Sequence, residues 1–330
     1  MMTDVTNNNL MLFSGRGNPE LCEEIASHLG IVPGKVDLST FANGEIYCKY
    51  DESVRGANVF ILQSHTPPIN DRIFEQMIMI DAAKRASASE ITAICPFYGY
   101  SRQDRKASGR EPITARLVAD MMEAAGADRV IAIDLHTGQI QGFFNKPVDH
   151  LTAVPILAEY LSKKVSGEVT VVSPDAGGGK LARKFAKCFA AYGQASELAF
   201  VDKRRPEGKH NAVVAETVVG NIEGRSCILV DDMIDTAGTI TAATQLLKDK
   251  GAKEVFIAAT HGVFSAPAAQ RLSDSGAKEV VVTNSLPLPQ DGQDFSGVKV
   301  VSIGKLFADA VKQVYEKGSV SELFTVSNFG

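Results

Sequence analysis

The chain has 330 residues, 45% of them apolar and 22% charged, the make-up of one large or two medium globular domains. A formal charge of −5 argues against a nucleic-acid binder, whose surface carries a basic excess. Five cysteines without a CxxC pair fit reduced thiols in a cytoplasmic protein; the start MMTDVTNNNL has no signal-peptide pattern, and no apolar run approaches the ~20 residues of a membrane helix.

In chain order, the first predicted strand is LMLFSG (10–15), which runs through a small-residue loop into a helix, FSGRGNPELCEEIA. FANGEIY (41–47) reads as a turn opening a hairpin, and ANVFILQS (57–64) as the next strand. In RASASEITAIC (85–95) small residues end a helix and a β-branched apolar run follows. That unit recurs at AGADRVIAIDL (125–135), KGAKEVFIAAT (250–260) and SGAKEVVVTNS (275–285), after helical segments such as ARLVADMMEA (115–124) and AATQLLKDK (242–250). EVTVVSPD (168–175), SELAFVD (196–202) and SCILVDD (226–232) are further strands. Repeated helix–turn–strand units predict an α/β protein with mainly parallel sheets and helices on both faces. The two halves also match, FSGRGNPELCEEIA against VSPDAGGGKLARKF. Two doubly wound domains are therefore expected, 1–154 and 155–330, joined near Val154–Pro155.

Such sheets bind ligands at the carboxyl ends of their strands, and several strand ends here are polar. ILVDDMIDTAGT (228–239) sets Asp231 and Asp232 at a strand tip, before the loop Asp235, Thr236, Ala237, Gly238 and Thr239. The loop suits a phosphate, through helix-start N–H groups, threonine hydroxyls and a permissive glycine. The aspartates suit vicinal hydroxyls or a metal, so the stretch describes a sugar phosphate. An acidic, Thr-capped helix start fits the same residues equally well. SPDAGGGKLARKF (173–185) places Asp175, Ala176, Gly177 and Gly178 where backbone amides can approach a bulky anion. It is not a Walker loop, since Pro174 and Leu181 occupy the positions of its first glycine and its Ser/Thr. IDLHTGQIQGFF (133–144) ends a strand at Asp134 and His136, a metal or phosphate candidate. Arg102, Gln103, Asp104 and Arg105 follow another strand in PFYGYSRQDRKASGR. Phe41, Asn43 and Glu45 can stack on and hydrogen-bond a heterocycle. DKRRPEGKHN (202–211) reads as a mobile basic loop, either a plain connector or a lid that delivers Lys203 and Arg205.

Together, FANGE, YSRQDR, DLHTGQIQGFF, PDAGG and VDDMIDTAGT, in this order, resemble the phosphate-dependent class of ribose-phosphate pyrophosphokinases from about Leu10 to Phe324. VDDMIDTAGT alone is shared with phosphoribosyltransferases. The resemblance implies two phosphoribosyltransferase-like domains and transfer of the β,γ-diphosphoryl group of ATP to the 1-hydroxyl of ribose 5-phosphate. By resemblance Asp235–Thr239 take the 5-phosphate, Asp231 and Asp232 the ribose hydroxyls, and Asp175 to Gly178 the pyrophosphate. Phe41, Asn43, Gly44, Glu45, Arg102, Gln103 and His136 match ATP contacts, with His136 and Asp175 at Mg²⁺ positions. Lys203 and Arg205 match the catalytic pair. Ser53, Arg55, Ser87, Arg110, Ser319, Ser321 and Phe324 match an allosteric site where inorganic phosphate activates and ADP inhibits. A homohexamer built from dimers is also implied, with neither nucleic acid nor membrane as partner. A phosphoribosyltransferase would need only one such domain, and a non-catalytic homologue should have lost Lys203, Arg205, His136 or Asp175.

Overall fold

A computed structural model describes residues 9–175, 177–204 and 215–324. The chain forms two compact units. One runs to Thr152 and takes up the chain again over Ile303–Leu323; the other is Ala153–Ser302.

The first unit contains β1 (Leu10–Ser14), α1 (Pro19–Leu29), the hairpin β2 (Val36–Thr40) and β3 (Ile46–Tyr50), β4 (Asn58–Leu62), α2 (Ile69–Arg85), β5 (Glu90–Cys95), α3 (Thr114–Ala125), β6 (Arg129–Ile133) and β7 (Val148–Leu151). Five parallel strands lie in chain order, β1-β4-β5-β6-β7. Local chemistry sets the helix ends. Asn18 accepts the Leu21 N–H to start α1, Pro19 occupies its first turn, and Gly30 closes it at φ 69°. In α3 the apolar positions Ala115, Val118, Ala119 and Met122 fall on one stripe, and all are buried. They meet Val59, Ile61, Ala93 and Val130 from the sheet in one core. Leu12, Phe60, Leu62, Ile94 and Ile131, which alternate with these along the strands, are buried too, as a parallel sheet requires.

The second unit contains α4 (Val154–Ser162), β8 (Val169–Ser173), α5 (Gly179–Ala191), β9 (Ser196–Arg204), β10 (Ala215–Val219), β11 (Ser226–Ile234), α6 (Gly238–Asp249), β12 (Glu254–Gly262), α7 (Ala268–Asp274), β13 (Glu279–Thr283) and β14 (Val298–Val301). Its seven strands lie in the order β10-β9-β8-β11-β12-β13-β14, with only the β9–β10 pair antiparallel. The order reverses between β8 and β11, which is where a doubly wound sheet opens a crevice.

Two expectations change. The last helix, α8 (Gly304–Tyr315), belongs to the first unit, so residues after 154 do not form one domain. Its stripe Phe307, Ala308 and Val311 is buried, and α8 packs on α1. Strands β2, β7, β10 and β14 were not predicted: a charged residue at the second position of each (VDLST, VDHL, AETVV, VKVV) interrupts the apolar run that marks a buried strand. Among the described residues no helix is long and apolar enough to cross a membrane.

Candidate active site

At the reversal point of the second unit, β11 pairs with β8 only as far as Leu229↔Val172 but with β12 as far as Ile234↔Gly262. Asp231 and Asp232 therefore sit on backbone that overshoots β8. They lie inside the strand, not at its tip as expected, because β12 continues to pair with it. Asp231 accepts the Asp232 N–H at 2.9 Å. Burial first, then the adjoining Asp232 and then Asp175, raises the Asp231 carboxyl to about 8. Carboxylates crowded this way suit a ligand that brings hydroxyl donors or a cation.

Asp175 follows the end of β8 and shapes the glycine loop. Its Oδ1 accepts the Gly178 N–H at 2.9 Å, and the Ser173 hydroxyl donates to its carbonyl at 2.6 Å. A Cβ on Gly178 would stand 2.5 Å from Ser173 Oγ, so a side chain there would push that hydroxyl off the Asp175 carbonyl. Ala176 lies outside the described residues.

The phosphate-type loop follows β11. Its helix, α6, starts at Gly238, behind Ala237 at φ 61°. A non-glycine residue in that region costs about 1–3 kcal/mol and marks functional loops. The N-cap position of α6 is Ala237, whose side chain makes no cap hydrogen bond, and the first turn holds no acid, so the helix does not open on a threonine N-cap. Thr236 and Thr239 are exposed. The loop is pinned by residues that the sequence did not single out. The Arg271 guanidinium donates to the Thr236 carbonyl at 2.9 Å, and the Thr241 hydroxyl to the Ala237 carbonyl at 2.8 Å. Arg271 is 35 positions from its partner, beyond the reach of any local pattern.

Lys203 is on β9, in register with Glu216 of β10. The expected loop thus begins later than predicted, because β10 extends the strand through Arg204. Arg205 and the rest of the expected lid, to residue 211, lie outside the described residues.

In the first unit, Phe41 to Glu45 join β2 to β3. Asn43 Oδ1 accepts the Glu45 N–H at 3.1 Å, and Gly44 adopts φ 92°. Phe41, Asn43, Gly44 and Glu45 line an open cavity of about 840 Å³ with Phe74, Tyr100 and Leu117. Phe41, Phe74 and Leu117 are more than half exposed. Arg102, Gln103 and His136 do not line it. Arg102 and Gln103 lie on the segment that follows β5, and His136 on the one that follows its neighbour β6. There the Thr137 hydroxyl donates to Asp104 at 2.8 Å and the Thr114 hydroxyl to Gln103 at 2.6 Å. Among the described residues no group of three His, Cys, Asp or Glu side chains is placed to hold a metal.

Among the expected allosteric residues, Arg55 donates to Ser87 Oγ at 3.3 Å. Ser87 and Arg110 both have positive φ, 66° and 69°. Ser53, Ser319 and Ser321 are exposed, and Phe324 ends a short 3-10 turn.

A parallel α/β sheet with paired aspartates beside a helix start, at its point of reversal, is an arrangement that suits a sugar phosphate. The sequence profile of the N-terminal domain of ribose phosphate pyrophosphokinase matches residues 10–126, and that of the phosphoribosyl synthetase-associated domain residues 199–325. The ribose-phosphate pyrophosphokinase of Streptomyces avermitilis is 54% identical over 316 residues, 96% of each chain. That of Mycobacterium tuberculosis is 50% identical over 327 residues, 98% of this chain and 99% of the other. The crystal structure of phosphoribosylpyrophosphate synthetase from Mycobacterium smegmatis superposes with a TM-score of 0.87 at 50% identity, covering 94% of this chain and all of that one. The chain belongs to the ribose-phosphate pyrophosphokinase family.

Proposed function

We infer that this chain is a ribose-phosphate diphosphokinase. It moves the β,γ-diphosphoryl group of ATP to the 1-hydroxyl of ribose 5-phosphate, giving AMP and phosphoribosyl pyrophosphate (PRPP) for nucleotide biosynthesis. The observation that carries this is the Asp231–Asp232 pair beside the start of α6, in a chain that matches the family along nearly its whole length.

In this reading Asp231 and Asp232 accept the ribose hydroxyls, while Asp235, Thr236, Ala237, Gly238 and Thr239 hold the 5-phosphate through N–H and hydroxyl donors. Asp175, Gly177 and Gly178, with Ala176 between them, receive the pyrophosphate. Arg102, Gln103 and His136 contact ATP. The weak sugar nucleophile attacks a polyanion, so alignment and charge neutralisation matter more than a base. Lys203 and Arg205 supply cations where negative charge spreads over the transferring group. Mg²⁺ when bound neutralises phosphate oxygens. Asp175, with the crowded carboxylates beside it, would hold Mg²⁺ through oxygen donors, and His136 would serve a second Mg²⁺ position.

Phe41, Asn43, Gly44 and Glu45 serve the adenine of a neighbouring subunit. The support is that their cavity excludes Arg102, Gln103 and His136 and is walled by exposed aromatic and aliphatic groups, a surface that calls for a partner. The assembly is a homohexamer built from dimers, in the cytoplasm, where the five free thiols stay reduced. Inorganic phosphate activates and ADP inhibits through Ser53, Arg55, Ser87, Arg110, Ser319, Ser321 and Phe324. A coupled assay of AMP release is the direct test. AMP should form only when ribose 5-phosphate and Mg²⁺ are both present. AMP formed equally without the sugar, or none at all, would refute the activity.

A further inference from the structure

A polar cluster lies buried beneath the carboxyl ends of β4 and β5, apart from every residue assigned above. His65 and Gln76 are both 0% exposed. Gln76 Nε2 donates to the Ile61 carbonyl at 3.2 Å and to the Ile94 carbonyl at 3.3 Å. Both amide protons are thereby used, and Gln76 Oε1 must face His65, whose Nε2 is 3.0 Å away. An amide oxygen only accepts, so the imidazole proton sits on Nε2. Burial pushes the imidazole down to about 4, so near neutral pH the ring carries no second proton. Nδ1 is then a bare acceptor, and it takes the Gly99 N–H at 2.8 Å. The Cys95 thiol also points to Gln76 Oε1, at 3.4 Å. Two strand carbonyls thus dictate, one hydrogen bond at a time, where the Gly99 amide is held.

Gly99 opens the segment that carries Arg102 and Gln103. A Cβ there would stand 3.0 Å from Ile69 and Ile73 and 3.2 Å from His65 Cβ, so the backbone is pressed onto the histidine. Tyr100 follows with φ 63°, and further along Gln103 is tied to Thr114. The segment is therefore anchored to the interior at its start and to α3 at its end.

We propose that His65, oriented by Gln76, is a positioning residue for ATP, holding the Gly99 amide and so setting where Arg102 and Gln103 stand. This rests on the reading of Arg102 and Gln103 as ATP contacts. His65→Leu fills similar volume but leaves the Gly99 N–H without an acceptor; His65→Asn keeps an oxygen near the place of Nδ1. Gln76→Met keeps the histidine but removes the oxygen that fixes its tautomer. In the full-length enzyme, His65→Leu and Gln76→Met should raise the KM for ATP about tenfold, the value of one buried hydrogen bond. The KM for ribose 5-phosphate should change by less than about twofold. His65→Asn should recover most of the ATP affinity. An equal rise in both KM values, or an unchanged KM for ATP in folded Gln76→Met, overturns the positioning role. Arg102→Ala tells the two levels apart. If it leaves the KM for ATP unchanged, the ATP reading of the segment falls and the role of His65 with it. If it raises that KM while the His65 and Gln76 variants do not, only the positioning role falls.

Discussion

Ribose 5-phosphate should bind with release of a proton, because Asp231 has to ionise before it can accept the hydroxyls of the sugar. In the ligand-free chain its carboxyl titrates at about 8, through burial and the charges of Asp232 and Asp175. A group with that pKa is about three-quarters ionised at pH 8.5 and about 3% ionised at pH 6.5, so affinity should fall about 25-fold over the interval. Folding responds with the opposite sign. The folded value lies far above the ~3.9 of an unfolded aspartate, so the folded chain keeps a proton that the unfolded chain has lost. Stability without ligand therefore falls as pH rises between the two values. Titration calorimetry without Mg²⁺, in two buffers of different ionisation enthalpy, counts the protons released. Asp232→Asn removes the second-largest cause of the shift and should flatten the pH dependence. The ionisation of the substrate's own phosphate is common to both proteins and drops out of the difference. Equal proton release and equal slopes in wild type and Asp232→Asn would refute the reasoning.

Gly178→Ala should lower kcat/KM at least about tenfold, since its Cβ would stand 2.5 Å from Ser173 Oγ; Gly178→Ala with Ser173→Ala should recover part of the loss in the same steady-state assay. Lys203→Ala should lower kcat far more than it weakens ATP binding, because its charge is needed in the transition state. Mixed with Glu45→Ala after verified subunit exchange, it should regain activity through composite sites, and silence of the mixture would count against sharing. Arg55→Ala, which loses the contact to Ser87, should weaken phosphate activation and the non-competitive part of ADP inhibition. Its ribose 5-phosphate binding should be nearly unchanged, and normal response to both effectors would remove the regulatory assignment.

Much of the fold was legible in the sequence because its signals are local. Small residues ahead of a β-branched run mark a helix end and a buried strand wherever they fall, and β5, β6, β12 and β13 all appear where that unit predicts them. The same holds for Phe41 to Glu45, whose asparagine and glycine make a turn without help from distant residues. Asp231, Asp232 and the loop to Thr239 were recognisable as one constellation because nine consecutive residues carry it. Sequence alone could not choose between a phosphate loop and a capped helix start. That choice turned on which residue stands at the N-cap of α6, and it is Ala237 in the left-handed region rather than a threonine. Strand order was equally out of reach, yet the reversal between β8 and β11 is what brings the charge of Asp175 to bear on Asp231. Arg271 beneath Thr236, Gln76 beside His65 and α8 on α1 are likewise contacts between segments far apart in the chain. Hydrogen-bond direction, burial and carboxylate repulsion act through space, so only the tertiary structure decided them, whereas propensity and periodicity act along the chain and could be read there.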